Sequence, residues 1–412
     1  MFNLASNLFF PSPGRGGFPS LLSATCGIGC LLLLAHTHPA RAAEVLSVPR
    51  ETRDLSFAHE VQRAIDKGLH WLATHQEPDG HWSTADHPAI TALALIAFRG
   101  DPAKRHAPAD PILERGYTFL LDSVRPDGSI HRERGLISYN TSLGILALLA
   151  ADDPRHEPIL RKARAYLVGL QSDFGEPGRL DSRFDGGIGY GPGDPHEHSD
   201  MSNTLLALEA LHHTRHLAQS DTAEAAPELD WQAAIHFLER CQNLPGHNPL
   251  EWVSEHPEDR GGFVYSPDES KAGAVTNEVT GKVSLRSYGS ISYAGLLSYI
   301  YARLERDDPR VEAVFDWLRS NYTLDENPGM GAQGLFYYYH TMAKALATAE
   351  VDTFELTDGR AVDWRKELAL NLINLQKADG SWINTHGRWW ERDPALVTAY
   401  GVIALEWIHR GL

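Results

Sequence analysis

Apolar residues along the chain form two kinds of helical segment that alternate. In the first kind they recur three and four positions apart, as between residues 57 and 75, which indicates an amphipathic helix with one buried face. The second kind is apolar nearly all round, most clearly from Ala89 to Ile96, and such a helix must be buried on all sides. Repetition of this pair predicts an all-α fold in which an outer ring of helices surrounds an inner ring.

Six such pairs can be placed in a single repeat domain over residues 57–412. The amphipathic helices are predicted near residues 57–75, 111–123, 157–171, 230–242, 309–320 and 362–376. The buried helices are predicted near residues 88–98, 138–150, 200–213, 287–303, 336–348 and 393–408. Two insertions, 172–198 and 244–284, are rich in glycine, proline and acidic residues and are predicted to be loops. Long loops on one face of a repeat array tend to carry function, although they can also be tolerated surface insertions.

Glycine turns are predicted at the ends of the amphipathic helices. Twelve positions separate Gly68 from Gly80, and twelve separate Gly116 from Gly128. The second glycine of each pair can adopt the left-handed conformation that a helix C-terminal turn needs. An aromatic residue such as Trp82 then plugs the turn.

The stretch from residue 67 to 82 resembles the QW motif of squalene and oxidosqualene cyclases. In that family a basic residue, glycine, an aromatic-leucine pair, glutamine and a Gly-x-Trp sequence follow one another. Here these positions are Lys67, Gly68, Trp71, Leu72, Gln76, Gly80 and Trp82. With partial copies, the resemblance covers residues 57–410. It implies an α/α toroid of about six helical hairpins, in which the glutamine and tryptophan join adjacent helix layers.

The catalytic signatures associated with this fold are incomplete in the sequence. Cyclases of this kind protonate an alkene with a DxDD motif, and only Asp200 matches it, at the position of the acid. Asp200 is therefore the candidate catalytic acid, and the alternative is that it caps the start of an inner helix. If the protein is an enzyme, a terpenoid cyclase-like isomerase or lyase is the first expectation.

Metal chemistry has little support in the sequence. Protein prenyltransferases hold zinc with Asp, Cys and His, and His340 matches the histidine, but Tyr288 and Ser290 stand where the other two ligands would be. We expect His340 to face a central cavity as a neutral residue. His196 and His198 are weak candidates for a metal site beside Asp200. No cofactor is predicted.

Aromatic and polar residues cluster where the inner helices begin, and we expect them to line one mouth of the barrel. The candidate ligand-binding residues are Tyr139, Asn140, Asn203, Tyr288, Tyr293, Tyr338, His340 and Tyr400. This mixture favours a small apolar molecule or one of isoprenoid type as the ligand of a central cavity. The alternatives are a divergent cyclase that uses Asp200, a carbohydrate-active toroid lyase or hydrolase, and a scaffold that binds proteins through its long loops.

The net charge and the N-terminal sequence limit the partners and the cellular location that we expect for the protein. The formal net charge of -17 and the lack of a basic stripe argue against nucleic acid as a partner. Arg15, an apolar stretch over residues 18–34 and the small residues Ala40 and Ala42 predict a signal peptide over 1–42, followed by a linker over 43–56. The protein is thus expected to be exported, periplasmic or secreted, without a membrane span after cleavage. The alternative is a retained anchor.

Overall fold

Pairs of antiparallel helices follow one another along the chain in the computed structural model. It describes residues 55–107, 109–132, 135–192, 198–219 and 226–412. The predicted signal peptide and all but the last two residues of the linker lie outside this part of the chain. Within it, the fold is all-α apart from two short β-hairpins, which confirms the predicted fold class.

Twelve helices alternate between an outer and an inner ring. The outer helices are α1 (Leu55–Thr74), α3 (Pro111–Leu121), α5 (Glu157–Val168), α8 (Trp231–Cys241), α10 (Pro309–Ser320) and α12 (Trp364–Leu375). The inner helices are α2 (Pro88–Gly100), α4 (Ile137–Ala150), α6 (Met201–His213), α9 (Gly289–Tyr301), α11 (Leu335–Thr348) and α13 (Pro394–His409). All twelve lie where the alternating pattern predicts them.

The remaining elements are short. A one-turn helix α7 (Arg215–Ala218) follows α6, and 3₁₀ turns lie at Pro154–His156 and Arg388–Trp390. Strands β1 (Ala274–Thr276) and β2 (Val283–Leu285) pair antiparallel, as do β3 (Phe354–Glu355) and β4 (Ala361–Val362). The first hairpin corrects the expectation that the insertion 244–284 is loop throughout, because a few backbone hydrogen bonds pair two three-residue strands near its end.

Burial explains the two rings. The inner helix α13 buries every residue from Ala395 to Ile408, whereas the outer helix α5 buries only four of its residues. Each inner helix packs against the next one along the chain, and α13 packs against α2. The outer helix α1 also packs against α12 and α13. The ring is therefore closed by contact between the first and last hairpins.

Aspartate caps fix where several helices begin. Asp110, Asp308 and Asp393 each precede a proline and accept a hydrogen bond from a backbone N–H of the first helical turn. The carboxylate satisfies an otherwise unpaired donor, and proline suits the first helical position because its missing N–H has no intrahelical partner there.

The turn from outer to inner helix is built in the same way in five of the six hairpins. A buried side chain plugs each turn, and its backbone N–H donates to a hydroxyl on the inner helix that follows. The pairs are Trp82 with Thr91, Ile130 with Thr141, Ile188 with Thr204, Phe263 with Ser292 and Trp382 with Thr398. The two tryptophans also donate from Nε1 to the last turn of their outer helix, Trp82 to Leu72 O at 2.7 Å and Trp382 to Leu372 O at 2.8 Å.

Glutamines join each of four turns to the next outer helix. Gln76 donates to Gly80 O at 3.0 Å and to Ile112 O, on α3, at 2.9 Å. Gln376 donates to Gly380 O and to Ala64 O, on α1, both at 2.9 Å. Gln171 and Gln242 make the equivalent pairs of bonds. The bond from Gln376 closes the ring between residues that are 312 positions apart.

Candidate functional site

A cavity of about 250 Å³ opens where the inner helices begin. Eight of its lining residues are aromatic: Tyr139, Tyr190, Tyr265, Tyr288, Tyr337, Trp389, Trp390 and Tyr400. The others are His87, Ala89, Ile90, Leu136, Ser202, Asn203, Ser290, Ile291, Glu391 and Leu396. This wide cavity is therefore mainly aromatic, with a few polar groups at its wall.

A layer of tyrosines separates the wide cavity from a narrower one deeper along the axis. Tyr139, Tyr337 and Tyr400 line both cavities, and the hydroxyls of Tyr139 and Tyr400 are 3.2 Å apart. The narrow cavity measures about 30 Å³, which is room for roughly one or two water molecules. The tyrosine layer is thus the floor of the wide cavity.

The narrow cavity contains a buried ion pair. Lys344 Nζ lies 2.9 and 3.0 Å from the two carboxylate oxygens of Glu209, and both residues line the cavity. His340 lines it as well, and its Nδ1 atom has no hydrogen-bond partner among the described residues. Burial, together with the charge of Lys344, holds the pKa of His340 well below its usual range. His340 is therefore neutral and faces the axis.

Asp200 lies behind the wall of the wide cavity. It is the N-cap of α6, where its carboxylate accepts from the backbone N–H groups of Ser202 at 2.9 Å and Asn203 at 3.0 Å. It also accepts from Asn203 Nδ2 at 2.7 Å and forms a hydrogen bond with the side chain of Tyr265. Burial raises the pKa of Asp200 to about 6, against the opposing effect of these hydrogen bonds. Asp200 therefore reaches the cavity only through its partners Asn203 and Tyr265.

Glu391 is the only carboxylate in the wall of the wide cavity among the described residues. Its side chain accepts from the backbone N–H of Tyr337 at 2.8 Å and from Asn384 Nδ2 at 2.6 Å. It thereby caps α11, whose own N-cap residue, Gly334, has no side chain to do so. Burial raises the pKa of Glu391 above its usual range.

The two insertions contribute a pair of tyrosines that our sequence analysis did not identify as lining residues. Tyr190 and Tyr265 each lie two positions after a plug residue, and their hydroxyls are 3.1 Å apart. The signal that could have found them is the shared Gly-Gly turn before each one, Gly186-Gly187 and Gly261-Gly262. Both insertions therefore reach the mouth of the cavity.

Trp389 and Trp390 form part of the rim. They are 43% and 49% exposed, and both have left-handed backbone conformations, with φ of 55° and 66°. L-residues rarely adopt such values, so this turn is held by its surroundings. Glu391, the next residue, supplies the buried anchor.

The structure divides the predicted ligand-binding residues into two groups. Tyr139, Asn203, Tyr288 and Tyr400 line the wide cavity, and His340, with Tyr139 and Tyr400, lines the narrow one. The other three predicted residues, which line neither cavity, are Asn140, Tyr293 and Tyr338.

Those three side chains are directed away from the axis. Asn140 Oδ1 accepts from the backbone N–H of Ala89 on the neighbouring inner helix, and the Tyr338 hydroxyl donates to Thr323 O. Tyr293 packs against Tyr338, with ring centroids 5.7 Å apart. Successive positions on a helix point about 100° apart, so only part of each inner helix can face the axis.

The weak metal candidates gain no support from the described residues. The imidazole of His198 stacks on the ring of Phe184, with centroids 4.4 Å apart, and His196 lies outside the described part of the chain. Within that part, no group of three His, Cys, Asp or Glu side chains is arranged to hold a metal ion.

Comparison with solved structures identifies the architecture. A type II terpene cyclase, MstE from Scytonema, aligns with a TM-score of 0.52 at 12% identity, over 86% of this chain and 99% of that one. The GH76A α-1,6-mannanase of Salegentibacter sp. HEL1_6 aligns with a TM-score of 0.53 at 12% identity, over 85% and 100%. At such identities the likeness concerns the fold alone.

A sequence comparison finds one further similarity, over part of the chain. Over 137 residues, 29% of this chain, it is 28% identical to the lanosterol synthase erg7A of Aspergillus fumigatus. The chain is an α/α toroid. The matched segment spans 17% of the synthase, and no protein-family model matches the toroid. None of the helices in its described part is long and apolar enough to cross a membrane.

Proposed function

We propose that the toroid binds a small apolar molecule of isoprenoid type in the wide cavity. The observation that carries this proposal is the lining: eight aromatic side chains, together with Ile90, Leu136, Ile291 and Leu396, surround the space. Pockets of this kind bind ligands mainly through apolar contact, with a few polar groups that fix orientation. The MstE cyclase of the same fold has been solved with geranylgeranyl dihydroxybenzoate, an isoprenoid-bearing substrate, which supports the choice of ligand.

Several polar lining groups already have partners within the protein, whereas the buried hydroxyl of Tyr337 has none among the described residues. Asn203 Oδ1 accepts from the Ser138 hydroxyl at 2.9 Å, while its Nδ2 donates to Asp200. The hydroxyl of Ser290 accepts from Asn327 Nδ2 at 3.1 Å. A ligand that demanded many hydrogen bonds would have to break these contacts, whereas an apolar ligand leaves them intact.

The volume limits how much of a ligand can be enclosed. An apolar cavity of roughly 150 Å³ accommodates benzene, so about 250 Å³ accommodates roughly ten carbon atoms. A longer isoprenoid would therefore extend through the mouth, beside Trp389 and Trp390. Those two side chains provide a fluorescent reporter for binding.

Titration of the purified protein with geraniol, farnesol and geranylgeraniol tests the proposal, with tryptophan fluorescence and calorimetry as readouts. Leu396→Trp adds bulk to the wide cavity and should weaken binding at least about tenfold. Leu370→Trp, on the exposed face of an outer helix, is the matched control and should bind as the wild type does. If none of the three alcohols binds the wild type, the proposal fails.

A divergent cyclase is the second candidate. What favours it is the Asp200 carboxyl, which burial keeps partly protonated near neutral pH and which touches the cavity-lining Tyr265. Alkene protonation needs a strong acid, however, and a raised pKa weakens the acid. Incubation with squalene and with prenyl diphosphates, followed by mass spectrometry, tests the idea. A product from the wild type that Asp200→Asn does not form would support it, and no product from the wild type would exclude these substrates.

The carbohydrate-active alternative has weaker support. Glycoside hydrolysis commonly uses two carboxyl groups on either side of the bond that is cleaved. In the described part of the wide-cavity wall Glu391 has no such companion. Incubation with α-1,6-linked mannan, the substrate type of the mannanase of the same fold, would revive this alternative if oligosaccharides were released.

We also propose that the protein is exported and that residues 1–42 are its signal peptide. The basic Arg15, the apolar stretch over 18–34 and the small residues at 40 and 42 support this. N-terminal sequencing of the protein recovered after expression with its natural N-terminus tests it. A mature chain that begins at Ala43 is the expected result, and an uncleaved chain would contradict it.

A further inference from the structure

We infer that the wide cavity binds a ligand with a permanently charged cationic centre, of the quaternary ammonium class, between the ring faces of Tyr139, Tyr288, Tyr337 and Tyr400 and with Glu391 as counter-charge. The inference rests on the proposed function, namely that this cavity binds a ligand with an apolar part of isoprenoid type, and adds a charged centre to that ligand. Four features of the cavity lead to it.

The first feature is the density of aromatic rings in the lining. Eight side chains of the lining are tyrosine or tryptophan, and among the described lining residues there is no lysine or arginine. The face of an aromatic ring carries negative charge density, and a cation within about 6 Å of its centre is attracted to it. Quaternary ammonium ions are bound in cages of this composition because they offer no hydrogen-bond donor and are weakly hydrated.

The second feature is that two pairs of lining tyrosines use their hydroxyls on each other. Tyr139 and Tyr400 are in hydrogen-bond contact through their hydroxyls, 3.2 Å apart, and Tyr190 and Tyr265 are 3.1 Å apart. Tyr265 has Asp200 as a further partner. These four hydroxyls are therefore used inside the protein, so a ligand beside Tyr139 and Tyr400 meets ring surface, whereas the buried hydroxyl of Tyr337 has no partner among the described residues.

The third feature is that rim rings already attract cations of the protein itself. Lys271 Nζ lies 4.1 Å from the ring centre of Tyr265, and Arg388 Cζ lies 4.4 Å from that of Trp389. The charge of Lys271 is balanced by Glu269 at 2.6 Å. Of the cation–ring contacts within the described residues, none involves the four tyrosines named in the inference. No cation of the described residues therefore occupies those four rings, although Tyr400 packs against the rings of Tyr337 and His340, with centroids 5.9 and 5.0 Å apart.

The fourth feature is a buried carboxylate that lacks a positive partner. Glu391 is 1% exposed, and its two oxygens accept from neutral donors, the backbone N–H of Tyr337 and the amide of Asn384. No ion pair of the described residues includes it. Burial of a carboxylate is costly unless its charge is compensated, and here the backbone N–H groups at the start of α11 compensate it in part. A cationic ligand in the same cavity would offset that cost.

Choline and its neutral isostere 3,3-dimethylbutan-1-ol provide the decisive comparison, because they share shape and differ in charge. Each has seven non-hydrogen atoms, and each fits a cavity with room for about ten. Calorimetric titrations at pH 7.5 should show choline binding about tenfold more tightly or better. Equal or weaker binding of choline would overturn the inference. If geraniol still binds in that case, the proposed function stands, and if geraniol also fails to bind, both are wrong.

Substitutions at one position separate the ring face from the shape of the site. Tyr288→Phe keeps the ring and should leave the ratio of choline to isostere affinity unchanged. Tyr288→Leu keeps apolar bulk, removes the ring and should reduce that ratio at least about threefold. Glu391→Gln should reduce the ratio in the same direction, whereas Tyr166→Leu, on an outer helix, should not change it. Thermal melts of all four variants establish that they are folded, and a ratio unmoved in both Tyr288→Leu and Glu391→Gln would contradict the inference.

Discussion

The fifth hairpin, α10 and α11, differs from the other five in how its turn is held. In the other five a plug residue donates its backbone N–H to a hydroxyl of the inner helix of the same hairpin, as Trp382 does to Thr398. In the fifth, the side chain of Asn327 instead contacts the preceding hairpin, where it accepts from Ser290 N at 2.8 Å. The cap of its inner helix, Glu391, comes from the following hairpin.

This difference affects how stability and ligand binding are related. The plug residues are buried in the scaffold and do not line the wide cavity, so we expect them to stabilise the fold without contacting a ligand. Glu391 both caps α11 and lines the cavity. We therefore expect substitutions of the plug residues in the five regular turns to change stability alone. Substitutions of Glu391 should change both stability and ligand binding. Three predictions test this contrast.

Alanine substitution of two tryptophans, a plug residue and a rim residue, should separate stability from ligand binding most strongly. Trp382→Ala removes a fully buried plug and should lower the free energy of unfolding by about 3–5 kcal/mol. Trp389→Ala removes a half-exposed rim residue and should change it by no more than about 0.5 kcal/mol, while weakening ligand binding. Chemical denaturation and calorimetric titration measure the two properties. Equal losses of stability in the two variants would remove the distinction between scaffold and site.

The buried cap of α6, Asp200, lies behind the cavity wall and should make stability depend on pH. The native pKa of Asp200 is raised to about 6, so the native state holds its proton more tightly than the unfolded chain does. The stabilisation is full below about pH 4 and is lost as the pH rises through about 6. Relative to Asp200→Asn, which keeps a good N-cap residue, the wild type should lose about 2 kcal/mol between pH 4 and 7. Denaturation curves across that range test this, and parallel pH profiles for the two proteins would contradict it.

The smallest effect is a difference between two glycines with similar backbone conformations. Gly186 and Gly246 have φ of +86° and +91°, so alanine should cost about 1–2 kcal/mol at either position. A Cβ on Gly186 would overlap the carbonyl oxygen of Ala233 on α8, whereas one on Gly246 would have nothing within 4 Å. We expect Gly186→Ala to cost about 1–3 kcal/mol more than Gly246→Ala. Equal unfolding free energies would mean that the regular turns tolerate packing changes as surface loops do.

The double ring of helices could be predicted from the sequence because the apolar pattern and the helix-start residues indicate the same helices. Amphipathic and fully apolar segments alternate, and the Asp-Pro pairs at 110–111, 308–309 and 393–394 mark where helices begin. The hairpin of β1 and β2 was missed because three-residue strands leave no detectable period in a sequence rich in turn formers.

Only part of the candidate site could be predicted. Tyr139, Tyr288 and Tyr400 were identified because residues at the start of inner helices lie near the mouth. A helix that is apolar all round gives no sign of which side faces the axis, so Tyr293 and Tyr338 could not be told apart from them. Glu391 was missed because its position depends on hydrogen bonds between hairpins, which no local pattern records.

The bond from Gln376 to Ala64 has a consequence for how the molecule acquires its shape. In an open repeat array the end units have one neighbour each and can unfold first. Here the first and last hairpins are neighbours, so no hairpin is terminal in space, although two are terminal in sequence. The contact pairs residues 312 positions apart, and the entropy of closing such a loop is paid late in folding. A circularly permuted chain opened between β1 and β2, at residues 277–282, would keep the inter-hairpin contacts described above, since the circle has no required starting point.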